Sequence, residues 1–74
     1  MPEQVTNEVK KLADIATDPE LDPEIRTKSM QQISRIGTHD ALLALLGLAA
    51  NEKLSIKERD IALKYARDVL KKGS

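Results

Sequence analysis

Apolar residues recur along this chain at intervals of three and four, and stop signals divide the pattern into four stretches, predicting four helices with short connections. The first, residues 3 to 16, sets Val5, Val9, Leu12, Ala13 and Ala16 on one face and turns Lys10, Lys11 and Asp14 away. Asp18-Pro19 closes it, because proline disfavours helix at the residue before it. At the start of the second, Asp22 is placed to cap the free amides, Pro23 sits where a missing N–H costs nothing, and Glu24 meets the positive end of the helix dipole. Ile25, Ser29, Ile33 and Ile36, with Met30 beside them, form a narrower stripe, and Gly37 supplies the left-handed closing residue.

Thr38 caps the third helix, with His39 at its first position and Asp40 in its first turn, and residues 41 to 50 are apolar on nearly every face. A polar connection, Asn51-Glu52-Lys53, leads to Ser55-Ile56-Lys57-Glu58, the spacing of a capping box in which Ser and Glu satisfy each other's backbone amides. Ile61, Ala62, Tyr65, Ala66 and Val69 then line one face of the fourth helix, and Lys71 and Lys72 lie at its negative end. Residues 71 to 74 read as a frayed tail.

Laying residues 5 to 37 over residues 38 to 70 superposes the first helix on the third and the second on the fourth without a gap. Leu12/Leu45, Ala16/Ala49, Leu21/Leu54 and Arg26/Arg59 are identical pairs, and Val9/Leu42, Ile15/Leu48, Met30/Leu63, Ile33/Ala66 and Ile36/Val69 are similar. A helical pair buries one face against its own partner helix and leaves another to be covered by a neighbouring pair. The expected architecture is therefore a single all-α domain over residues 1 to 74, built as two tandem antiparallel helical hairpins, the first over 5 to 37 and the second over 38 to 70. A plain four-helix bundle is the alternative.

Residue identities narrow the repeat class. One Tyr in the whole chain does not supply the aromatic knobs of tetratricopeptide arrays, and Gly37-Thr38-His39 is too short for the β-hairpins of ankyrin arrays. The run Asp22-Pro23-Glu24-Ile25-Arg26, followed by Ser29, Ile33, Ile36 and Gly37, resembles the second helix of HEAT-like repeats, and Gly37-Thr38-His39-Asp40-Ala41-Leu42 looks like the family's entry into its next hairpin. The second copy departs from that pattern at Glu58, Ile61 and Leu70. The resemblance implies a right-handed α-solenoid segment, an arginine at positions 26 and 59 that ties neighbouring loops through acidic partners, and a concave face lined by the second helix of each hairpin. On this chain that face maps to Lys28, Gln31, Gln32, Arg35, Lys64 and Arg67, with Asp68.

Twelve basic and twelve acidic residues give no net charge, against the basic excess expected of a duplex-binding domain. The halves differ: residues 1 to 37 carry net −2 and residues 38 to 74 net +2, which favours head-to-tail contact or reflects scattered surface charge. No Cys is present, so a reducing compartment fits and apolar packing must hold the fold. No apolar run approaches the roughly 20 residues of a membrane span, and the expected location is the cytoplasm.

Catalytic chemistry finds few parts. His39 is alone, and the cluster Asp18, Glu20, Asp22 and Glu24 lacks the ordered spacing and central glycine of a calcium loop. Gly-rich phosphate loops, nucleophile elbows and paired zinc histidines are absent from the sequence. No catalytic residue, metal or cofactor is expected. Tyr65, beside Ala62 and Ala66, reads as a half-buried ring or an interface anchor. Comparing the copies, Lys10, Lys11 and Asp14 correspond to Leu43, Ala44 and Gly47, so a polar outer face has become apolar. Leu43, Ala44, Gly47 and Ala50 are thus a candidate oligomer seam, unless the chain itself covers them.

The expected role is a non-catalytic scaffold that binds a protein partner or a second copy of itself, with no nucleic acid and no membrane. One alternative is an accessory subunit of an enzyme, since HEAT-like repeats resembling these occur in bilin lyases. Another is an engineered repeat unit without a natural partner.

Overall fold

The computed structural model describes residues 2–73 and the side chains of residues 7–72. Among them the chain forms four helices and no strand: α1 Pro2–Ala16, α2 Pro23–Ile36, α3 His39–Ala49 and α4 Ile56–Gly73. Val5, expected on the apolar stripe of α1, lies outside the described side chains. Helix α4 runs through Lys71 and Lys72, residues expected in a frayed tail; two lysines at a C-terminus complement the dipole, and no helix breaker precedes them. Ser74 falls outside the described residues.

The ends of the helices are set by local chemistry. Gly37 has φ 66° and ψ 15°, and its N–H donates to the Ile33 carbonyl, closing α2 in the left-handed conformation. The Thr38 hydroxyl accepts from the Ala41 N–H at 3.2 Å, capping α3. At the start of α4 the Ser55 hydroxyl accepts from the Glu58 N–H at 3.1 Å, and a Glu58 carboxylate oxygen accepts from the Ser55 N–H at 3.3 Å, completing the capping box. Asp22 is different. It stands at the N-cap of α2 with extended backbone, but its side chain makes no cap bond and is exposed; Pro23, which has no N–H, leaves one amide fewer to satisfy, and Asp22 O accepts the helix's first ordinary bond from the Arg26 N–H.

The α1–α2 and α3–α4 connections are built alike, position for position, in the register that lays residue 5 on residue 38. Thr17 N–H donates to Ala13 O as Ala50 N–H does to Leu46 O, Asp18 N–H to Ile15 O as Asn51 N–H to Leu48 O, and Leu21 N–H to Asp18 O as Leu54 N–H to Asn51 O. The side chains follow: Asp18 Oδ1 accepts from the Glu20 N–H and Asn51 Oδ1 from the Lys53 N–H, both at 2.9 Å.

Helix α1 packs on α2 and on α3, α2 on α3 and α4, and α3 on α4, while α1 and α4 do not meet among the described residues. Val9, Ala16, Met30, Ile33, Ala41, Leu45, Leu48, Leu54, Ala62, Ala66 and Val69 form one buried cluster. Ser29 is buried with them, and its hydroxyl donates to the Leu12 carbonyl, joining α2 to α1. Ile25, placed by spacing on the apolar stripe of α2, is instead 45% exposed, one turn before the face that Ser29 and Ile33 bury.

Although the backbones correspond in that register, burial corresponds in it only in part, and further pairs match at a spacing shorter by a single position. Ser29 with Ala62 and Ile33 with Ala66 are buried alike in the backbone register, and Val9 with Ala41, Ala16 with Leu48, Met30 with Ala62 and Ser34 with Ala66 at the shorter spacing. In the backbone register, Met30 is fully buried where Leu63 is 37% exposed, while Ile15 is exposed where Leu48 is buried. One residue turns a helix face by about 100°. The helices of the two halves therefore bury partly different flanks of the same backbone design.

Candidate functional site

A largely buried ion pair joins α2 to α4. Arg26, on the first turn of α2, donates from Nε to Glu58 Oε2 at 2.7 Å, with the two side chains only 12% and 8% exposed. Its Nη1 donates to the carbonyls of Leu21 at 2.7 Å and Asp18 at 3.1 Å, tying down the α1–α2 connection. A planar guanidinium suits this, since its fork reaches partners in two directions at once. On the other side, Glu58 Oε1 accepts from the Ser55 hydroxyl at 2.9 Å. The same carboxylate therefore caps α4 and anchors α2. In the sequence Glu58 reads as a departure from the repeat pattern; its capping-box spacing is the visible signal, whereas its distant partner Arg26 is not.

The Arg26 hydrogen bond, ahead of the bonds from Ser55 and the nearby charge, holds the Glu58 carboxyl below its ordinary value, although burial opposes this. Glu58 is thus ionised more readily in the folded chain than in the unfolded one. Its contribution to stability is fully present above the unfolded value of 4.5 and is lost as pH falls through the lowered folded value. In urea titrations at a series of pH values, Glu58→Gln is expected to be less stable than wild type at pH 7 and to show a shallower loss below pH 4.5. Parallel acid limbs in the two proteins would contradict it.

Arg59 is the counterpart of Arg26 in the second helical pair. Its Nε is buried and has no hydrogen-bond partner among the described residues. The resemblance implies that both arginines tie loops through acidic partners. Among the described residues, only Arg26 does so.

On α3, three of the four expected seam residues are uncovered: Leu43 is 53% exposed, and Gly47 and Ala50 are exposed. Space is open at Gly47, where an added Cβ would meet nothing within 4 Å. Ala44 does not belong with them, because it turns inward and packs half-buried against the core. Leu46, 40% exposed, takes its place, so the open face reads Leu43, Leu46, Gly47, Ala50, at helical spacing. Lys28, Gln31, Gln32, Arg35, Lys64 and Arg67 are all exposed, and Asp68 is partly covered. Tyr65 is half-buried against the core.

Other candidates do not converge. His39 is exposed at the start of α3. Asp18 is engaged in its turn, Glu24 reaches Lys28 at 3.9 Å in solvent, and no cluster of three or more potential metal-ligating side chains occurs among the described residues. No described helix is long and apolar enough to cross a membrane. No family model matches the chain, and no curated protein or solved structure matches it either.

Proposed function

We propose that this chain is a non-catalytic protein-interaction module of two stacked HEAT-like helical hairpins, and that the open face of α3 is a seam for self-association. The repeat reading is supported by connections whose hydrogen bonds correspond position for position and by α1 lying on α3 and α2 on α4. The observation that carries the function is the uncovered aliphatic stripe of Leu43 and Leu46 beside Gly47 and Ala50. Small residues there let a second helix approach closely, while the leucines supply apolar area to bury.

Sedimentation velocity tests this. Wild type is expected to sediment as an oligomer and Leu43→Lys as a folded monomer; two identical monomers would refute the seam. Gly47→Ala separates seam from fold: in open space on a helix, alanine is expected to raise monomer stability by roughly 0.5–1 kcal/mol while weakening self-association, because the added methyl stands in the path of the approaching helix.

A second reading is favoured by the row Lys28, Gln31, Gln32, Arg35, Lys64 and Arg67, exposed along α2 and α4. Four of these six residues are cationic, which suits an acidic protein segment. Loss of that binding in Arg35→Glu and Lys64→Glu, with the oligomer unchanged, would assign the two surfaces to separate partners.

A further inference from the structure

The unmatched arginine gives the second helical pair a direction in which it is unfinished. In the first pair, Ala13, Thr17, Met30 and Ser34 are buried or half-buried, and Arg26 reaches forward to a carboxylate on the next pair. Their counterparts in the second pair are Leu46, Ala50, Leu63 and Arg67, all exposed, and Arg59, whose Nε is buried without a partner. These positions share a backbone design with their counterparts but lack what the first pair has, a further helical pair stacked on them.

A guanidinium nitrogen that its own chain covers without giving it an acceptor forfeits the bonds it could make in water, so a carboxylate arriving at the end face and drawing the Arg59 side chain toward it would be strongly favoured. We infer that the end face of the second pair, Leu46, Ala50, Leu63 and Arg67 around Arg59, docks a partner protein that presents a helical pair with a carboxylate at the third residue of its second helix. The inference rests on the interaction-module reading and narrows it to one end and one partner chemistry. The template for the contact is internal: Glu58 occupies that helical position in this chain and binds Arg26. Leu46 and Leu63 supply the apolar area beside it, and Arg59 with Arg67 makes the face cationic near the docking point.

An unaltered second copy is not the matching occupant. Stacked head to tail, it would bring Ile25 to the place where Glu58 stands, and Ile25 carries no charge. That mismatch supplies the probe. The double variant Ile25→Glu, Arg59→Gln presents a carboxylate on its leading face and has its own trailing arginine neutralised. Ile25 is exposed, so the change leaves the core untouched.

Titrating isotope-labelled Leu43→Lys protein, whose end face is intact, with this probe is expected to give saturable amide shifts at Leu46, Ala50, Arg59 and Leu63. Adding Arg59→Gln to the labelled chain is expected to weaken binding about tenfold. Titration with a chain that keeps Ile25 should leave those amides unmoved. Absence of saturable shifts, or equal affinity with and without Arg59, would overturn the inference.

A second measurement covers a probe that fails to fold. In a chain with positions 38 to 70 repeated after Leu70, Arg59 meets the repeated Glu58 in cis, and Arg59→Gln should lower its melting temperature while leaving that of the two-pair chain unchanged. An equal effect in both chains would overturn the inference. Leu46 and Ala50 belong to both the α3 seam and the end face, so the two contacts exclude one another on a single chain; Leu43→Lys bears only on the seam and Arg59→Gln only on docking, which tells the failure of one reading from the failure of the other.

Discussion

Arg26→Ala is expected to lower stability by about 3 kcal/mol. The change removes the Nε donor from a carboxylate that is only 8% exposed, leaving Glu58 charged, poorly hydrated and held by Ser55 alone. It also leaves the Asp18 and Leu21 carbonyls without their guanidinium donor. For a domain of this size a loss of that magnitude lowers the melting temperature by roughly 12–24 °C. Arg26→Lys restores the charge but not the fork, since one ammonium cannot hold the loop carbonyls and the carboxylate with the same geometry; it should recover only part of the loss. Arg59→Ala, at the equivalent place in the second pair, is expected to change stability by less than about 1 kcal/mol, because its buried Nε has no hydrogen bond to lose. Thermal and urea unfolding of the three variants decide the matter. An Arg26→Ala protein as stable as wild type would show that the pair joining the two helical pairs contributes little.

What could be read from the residues in order is what depends on neighbours in order. Gly37, Thr38 and the Ser55–Glu58 box act within a single turn, so their spacing determined their roles. The same locality misleads at Asp22, where the type and position suit a cap but the exposed side chain makes no cap bond. Periodicity names the stripe on each helix but not its edges. Ile25 and Ala44 each lie at the margin of an apolar face, and the neighbouring helix decides that Ala44 turns in and Ile25 out. The partnership of Arg26 with Glu58 lies beyond local reasoning, because positions so far apart in the chain are brought together only by the packing of α2 on α4. Aligning the copies in the backbone register shows only part of the burial pattern: Ile33 and Ala66 match in it, whereas Val9 and Ala41, and Met30 and Ala62, match at a spacing shorter by one.

That one-residue difference leads to a paired prediction. Met30 and Leu63 are equivalent in the backbone repeat, yet Met30 is fully buried and Leu63 is not. Met30→Ala should cost about 3 kcal/mol, since the side chain is lost from a packed interior and the cavity closes only in part. Leu63→Ala should cost less than about 1 kcal/mol, since the leucine already keeps much of its surface in water and alanine is the better helix former. A plain repeat with matching interiors demands equal losses at the two positions, so unfolding curves that coincide would remove the rotated-face account. With a partner stacked on the end of the second pair, Leu63 would enter the environment that Met30 already has. Leu63→Ala would then weaken binding while sparing the fold, separating a residue kept for contact from one kept for stability.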